Sequence, residues 1–372
     1  MKINIITCHN VYNYGASLQA YALMHFLEMQ GHNVAIIDYL PYYKVSKYTF
    51  QLEKNGVFGT LARLLPMFTP FWCKLRYRNG YKFLGRKKAF DTFQEDYLKI
   101  TPQLYVSISD FNIHPLSADL YIAGSDQIWN PYYGNGLDPV YYCGFEKNPN
   151  KCISYAASFG VVSIDAKHLD FIKSNLANFK ALAIREKSGV NLAASLGFKA
   201  TNVCDPVFLL NAEQWETLCR TEHKGKYLLL YDFHNDNPQL KEVVLKIAKE
   251  KRLRIVSIND EIKIPYADEN INNAGPLEFI EYIKNSEFIV ASSFHATAFA
   301  VIFHKDFYTF PLEGHQNSSR MTDFLSMLGL MDRFTPTSQG IHCLHIDYSE
   351  VDCRMQSFIE SSKAWLICNT NK

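Results

Sequence analysis

Apolar residues recur along this chain in two alternating periods. Residues 3–8 (INIITC) form a short apolar run that reads as a buried strand. From residue 16 to 30 the apolar positions, among them Leu18, Leu23, Phe26 and Leu27, take helical spacing, and Gly31 is the expected stop. Residues 33–38 (NVAIID) return to a strand pattern. A strand–loop–helix–strand unit of this kind opens a parallel sheet. The pattern continues with strands at 120–123, 151–156, 181–184 and 201–204, and helices at 165–177 and about 190–196. A second series begins near residue 226, with strands at 227–231, 254–258, 288–291 and 307–310. Its helices fall at 238–249, 276–285, 294–303 and 321–328. The expectation is an α/β protein of two successive βαβ arrays that divide between residues 207 and 225, giving domains at 1–209 and 210–372. The length of 372 residues agrees, because single cores rarely grow past roughly 250–300 residues.

Composition narrows the class. With 48% hydrophobic and 20% charged residues the chain reads as globular. A formal net charge of +1 gives no general reason to expect nucleic acid as a partner. The nine cysteines are scattered, without a CxxC pair, and read as free thiols of a reducing compartment. The opening MKINIITCHN is a strand pattern rather than a leader, and no run reaches the roughly 18 apolar residues of a membrane span. A cytoplasmic location is expected. One segment departs from this picture. Residues 44–88 carry eleven Lys and Arg against a single acidic residue, Glu53, together with Phe68, Phe71, Trp72 and Tyr77. Two readings stay open: a basic helical insertion packed on the first domain, or a surface that rests peripherally on the inner face of an anionic membrane.

Candidate chemistry gathers where strands end in polar residues, the edge at which open α/β sheets bind ligands. After strand 288–291 come Ser292 and Ser293, then a helix with His295 in its first turn. Helix N-termini attract anions, and serine hydroxyls add donors. The plainer reading is a serine cap followed by a core histidine. Arg320, near the start of another helix, is disfavoured by the helix dipole unless an anion accompanies it, or is simply a surface arginine. Arg185 ends a strand and is placed to clamp a carboxylate or phosphate, or to pair with a neighbouring acid. The run 124–130 (GSDQIWN) offers Asp126, Gln127, Trp129 and Asn130, which suit a sugar: polar side chains for hydroxyls and an indole face for C–H groups. The plainer reading is a turn with a buried tryptophan. Asn13, Tyr14 and Gly15 open the first helix and point to the same edge. There is no GxGxxG spacing and no GxxxxGK[ST] loop. His342, Cys343 and His345 cluster without a second ligand pair, so no metal is expected. His234, His304 and His315 have no evident partner in the sequence.

Taken in order, these pieces resemble the polysaccharide pyruvyl transferase family. The matching runs are 13–20 (NYGASLQA), 124–130 (GSDQIWN), 154–160 (SYAASFG), 185–189 (REKSG), 205–207 (DPV) and 293–295 (SFH). The resemblance implies a GT-B-like fold, two Rossmann-like domains facing across a cleft, with the acceptor side first and the donor side second. It implies phosphoenolpyruvate (PEP) as a substrate, no separate cofactor, and a hexose of a bacterial exopolysaccharide or capsule glycan as acceptor, in some cases linked to undecaprenyl diphosphate. The product is a cyclic pyruvate ketal. It places the family's histidine at His295, as general acid or as anion anchor, and donor contacts at Arg185, Ser292, Ser293 and Arg320. Asp126 is then the candidate base or hydroxyl-binder for the acceptor, beside acceptor contacts from Asn13, Tyr14, Gly15, Gln127, Trp129 and Asn130. Many members carry arginine two residues before the histidine; here that position is Ser293, and Arg320 or Lys305 is expected to compensate. The rival readings are a GT-B glycosyltransferase using a nucleotide sugar and a non-catalytic glycan-binding protein.

Overall fold

A computed structural model describes residues 1–41, 84–220, 225–233, 237–259, 263–312, 319–337, 340–341 and 345–371. The first array forms a parallel sheet of β1 (Lys2–Ile6), β2 (Asn33–Ile36), β3 (Leu120–Ala123) and β4 (Cys152–Ser154), in the order β2-β1-β3-β4. Parallel bridges Ile153–Ala181 and Ala157–Ile184 extend it to a second pair, β5 (Leu182–Ile184) and β6 (Ala200–Asn202). The second array is a five-stranded parallel sheet, β11-β10-β7-β8-β9. It is built from β7 (Tyr227–Tyr231), β8 (Arg254–Ile258), β9 (Glu269–Ile271), β10 (Phe288–Ala291) and β11 (Asp306–Thr309). Strands β3, β7 and β10 are buried along their whole length, as parallel strands covered on both faces require.

The helices follow from local signals. Asn13 caps α1 (Tyr14–Met29) by accepting from the Ala16 amide. Asn237 caps α5 (Pro238–Lys251) and Gly275 precedes α6 (Pro276–Asn285), each with proline at the first position. Between α1 and α5 in the chain lie α2 (Leu84–Tyr97), α3 (Ala166–Leu176) and α4 (Lys187–Ser195). Then come α7 (Phe294–Ile302), α8 (Ser319–Leu328) and α9 (Tyr348–Thr370).

Two helices have almost no exposed face. Every residue of α1 from Tyr14 to Met24 is buried, and so is all of α7 except Ile302. A helix that is apolar all round belongs inside a protein. Here α1 packs against α6 and α7, so one core runs continuously between the two sheets. Tyr14 crosses this junction: its ring stacks on Phe279 at 4.3 Å and its hydroxyl donates to the Ala274 carbonyl.

Three elements differ from expectation. Strand β9 is only three half-buried residues, too short to leave a period. Helix α9 returns from the second array to the first: Ser362 accepts from the Cys204 amide at 2.9 Å and Trp365 lies against Tyr155. Its buried face mixes Val351, Met355 and Leu366 with Ser362 and Thr370, which hides the helical period. Of the basic segment 44–88, residues up to 83 lie outside those described. Arg86 is not a surface charge. It is buried, donates to Tyr14 and to the Tyr12 carbonyl, and lies over the Tyr14 and Phe90 rings. Among the described residues no helix is long and apolar enough to cross a membrane.

Candidate active site

The carboxyl ends of β3, β5, β6 and β10 face one another across the junction of the two sheets. Asp126, Arg185 and Asp205 lie within three residues of the ends of β3, β5 and β6, and His295 follows β10 by four. Arg185, just past β5, is the hub. Its guanidinium is 3% exposed; Nη1 donates to Asp205 Oδ2 at 2.7 Å and Nη2 to Asp126 Oδ1 at 3.3 Å, while Nε lies 4.0 Å from Glu186. Asp126 reaches the hub from a left-handed backbone conformation, φ 68°, which aspartate tolerates. The loop carrying it passes close to β4: a Cβ on Gly124 would sit 2.0 Å from the Tyr155 carbonyl oxygen.

His295 projects from the first turn of α7, with Nε2 3.4 Å from Asp205 Oδ2. Its ring rests on Gly15, where a Cβ would come within 2.0 Å of Nδ1. Glycine at the second position of α1 therefore makes room for the imidazole. Gly15→Ala is expected to displace His295 and lower activity about 100-fold, the scale of an ångström-sized misplacement in a reacting site. Turnover alongside a melting curve checks this; near-normal turnover in the folded variant would refute the packing argument.

Arg320, at the start of α8, approaches the same carboxylates from the second array, 3.6 Å from Asp126 Oδ1. Its buried Nε has no hydrogen-bond partner among the described residues. Burial, with Arg185 close by, pushes Arg320 down to about 10, against the pull of Asp126 and Glu186. An under-compensated guanidinium of this kind favours an incoming anion. The carboxylates respond in the opposite sense. Burial opposes ionisation of Asp205, but His295 and Arg185 outweigh it and hold the carboxyl well below the usual range. Asp126 is likewise lowered: burial works against it, and Arg185, His295 and Arg320 prevail. A cavity of about 560 Å³ opens against Arg185, Asp205, Arg320 and Phe294 and continues between Phe208, Phe324 and Met355. Phe294 lies under both guanidinia, 4.9 Å from that of Arg185 and 5.9 Å from that of Arg320.

Seven residues singled out by sequence come out differently. Trp129 is wholly buried, stacked on Tyr142 and donating its indole N–H to the Tyr141 carbonyl, so it has no face to offer a sugar. Asn130 donates to Gln127 Oε1 at 2.8 Å and accepts from the Tyr132 amide, an arrangement internal to the loop. Asn13 is spent as a helix cap, and Tyr14 on the junction of the arrays. Ser293 caps α7, and Ser292 donates to Asp232 at 2.9 Å. Lys305 stands at the opposite, amino-terminal edge of the second sheet, among Glu287, Lys284 and Glu216; of the two expected compensating cations, Arg320 is the one present. Arg185 is in the site but already engaged by carboxylates. Asp205 entered the sequence reading only within the family run 205–207, because nothing local tells a capping aspartate from one that also anchors an arginine and a histidine. His304 pairs with Asp352 and His345 with Asp306. His234, His315, His342 and Cys343 lie outside the described residues. Among the described residues no group of three His, Cys, Asp or Glu side chains could hold a metal ion.

Two all-parallel sheets with helices between them, meeting at their carboxyl edges around a cleft, define a GT-B fold. Solved structures agree. The S. aureus MnaA–UDP structure superposes with a TM-score of 0.51 at 10% identity, covering 97% of this chain and 89% of the other. A Listeria monocytogenes structure assigned as a UDP-N-acetylglucosamine 2-epimerase gives 0.53 at 8%, covering 98% and 89%. Identities this low speak to fold alone. The family model for polysaccharide pyruvyl transferase matches residues 13–313, and the chain belongs to that family. Among curated proteins none matches this sequence.

Proposed function

We propose that the protein transfers pyruvate from PEP to two hydroxyls of a hexose in a surface-polysaccharide glycan, closing a cyclic ketal. Within a chain of this family, the observation that carries the reading is Arg320: a half-buried cation whose Nε is buried and unpartnered among the described residues, beside a histidine and a helix N-terminus. PEP supplies two anionic groups. Its phosphate or carboxylate can take the 3.3 and 3.6 Å contacts that Asp126 makes to Arg185 and Arg320, while the 2.7 Å Arg185–Asp205 bond holds the hub in place. Asp126 is then released to accept a hydrogen bond from a sugar hydroxyl. Its lowered proton affinity makes it a weak base and a good anionic acceptor.

The chemistry closes without a net proton. His295 gives a proton to the methylene carbon of PEP, and C2 becomes electrophilic. The first sugar hydroxyl adds there and its proton restores the imidazolium. The second hydroxyl displaces phosphate, which departs carrying the second proton. Arginines hold charge throughout, which is where most of the rate enhancement in such sites arises. The acceptor glycan is supplied at the membrane if it is lipid-linked, and the enzyme then works on the inner face, in the cytoplasm.

Arg320→Gln is expected to raise the KM for PEP roughly 10–100-fold, as loss of a charged hydrogen-bond donor does. PEP should raise the melting temperature of the wild-type protein and not of this variant. A shift produced by a UDP-sugar and absent with PEP would transfer the reading to a nucleotide-sugar glycosyltransferase.

A further inference from the structure

The geometry points to Asp205 as the positioning residue for His295: it holds the imidazole by Nε2 and so leaves Nδ1 as the nitrogen that gives the proton to substrate. The inference rests on the pyruvyl-transfer reading above.

Asp205 is placed to do this by its own turn. It is 1% exposed, its Oδ1 accepts from the Val207 amide at 3.1 Å, and Pro206 stiffens the step between them. The carboxylate therefore cannot rotate freely. Its second oxygen, Oδ2, meets Arg185 Nη1 at 2.7 Å, His295 Nε2 at 3.4 Å and Ser125 Oγ at 3.5 Å. Nε2 of His295 has no hydrogen-bond partner among the described residues, and the 3.4 Å approach of Asp205 Oδ2 is an ion-pair contact. Ser125 is itself fixed, its amide donating to Gln19 Oε1, whose Nε2 donates to Thr7. A chain of buried groups thus runs from α1 through Ser125 to Asp205 and sets the azimuth of the ring.

The proton balance follows. In the imidazolium both nitrogens carry hydrogen. The Nδ1–H bond breaks as the C3–H bond of PEP forms, and the neutral ring left behind keeps hydrogen on Nε2, facing Asp205. Asp205 thereby stabilises both the charged ring and the tautomer that remains after transfer. The other charged groups near the imidazole are Asp126, Arg185 and Arg320, with Glu186 behind Arg185.

The test uses the full chain labelled with ¹⁵N-histidine, with the His295 signal assigned by its absence in His295→Gln. In the wild-type protein the neutral ring should carry its proton on Nε2. In Asp205→Asn, which keeps the turn's acceptor, the imidazole should titrate at lower pH than in the wild type. In that variant kcat should fall about 100-fold with little change in the KM for PEP. A neutral wild-type ring protonated on Nδ1, or an unchanged His295 titration in folded Asp205→Asn, would overturn the assignment. If Asp205→Asn does not fold, the wild-type tautomer decides alone. If the wild-type protein moves no pyruvate, the functional reading fails by itself, and tautomer and titration still report separately on Asp205.

Discussion

His295→Gln is expected to slow pyruvyl transfer about 10²–10⁴-fold, the usual cost of losing a positioned proton donor. Glutamine fills similar space and keeps a polar group near Asp205, so the substitution isolates proton transfer from packing. The expected signature is a fall in kcat with PEP binding retained, measured as phosphate release and as pyruvate incorporated into acceptor glycan. The rival role for His295 is that of a cationic anchor for phosphate. That role predicts the reverse split, a large rise in the KM for PEP with kcat little changed. A drop under tenfold in both, in a folded protein, would remove His295 from the chemistry altogether.

Arg185→Met is expected to be the most damaging substitution for stability. Arg185 is the shared partner of Asp205, Asp126 and Glu186, and its guanidinium is almost wholly buried. Removing one partner from a buried ion pair costs about 3–5 kcal/mol, because the charges left behind have neither water nor a counterion. The pH dependence has a definite sign. Asp205 and Asp126 are held below their ordinary values in the folded protein. Their stabilisation is present above the unfolded carboxylate value of about 4, and it is lost as pH falls through the lower folded values. In the variant these carboxylates favour protonation instead. The stability gap between variant and wild type should therefore be wide at pH 7 and narrow as pH falls below about 4. Urea unfolding at a series of pH values measures it. A gap that stayed constant with pH would show that Arg185 stabilises through packing and not through charge.

Period and punctuation carried most of the fold. Strands such as 120–123, 227–231 and 288–291 are continuous apolar runs bounded by polar turns, and α6 and α7 begin at recognisable signals, Gly-Pro and Ser-Phe. These features depend on residues near in sequence, so a sequence reading reaches them. What escaped it depends on neighbours distant in sequence. The buried face of α9 carries Ser362 because that hydroxyl answers the Cys204 amide of the other array. Arg86 looks like one charge in a basic run, yet it is spent inside the junction on Tyr14. Trp129 looks like a sugar platform, and only the surrounding Tyr142, Phe159 and Phe179 reveal it as core.

By itself the sequence determined two parallel α/β arrays, the strand ends at which chemistry gathers, and the family, because hydrophobic period and ordered motifs are local properties. It also brought forward His295, Arg185, Arg320 and Asp126 as separate candidates. Only the tertiary structure decided how these share their charges. It showed Arg185 bound to carboxylates, Arg320 incompletely paired, Gly15 as the floor beneath the imidazole, and Asp205 as the joint between arginine and histidine. The reason is physical: whether a charged group is free, paired or buried depends on the dielectric and the partners around it, and here those partners come from strands tens to hundreds of residues apart.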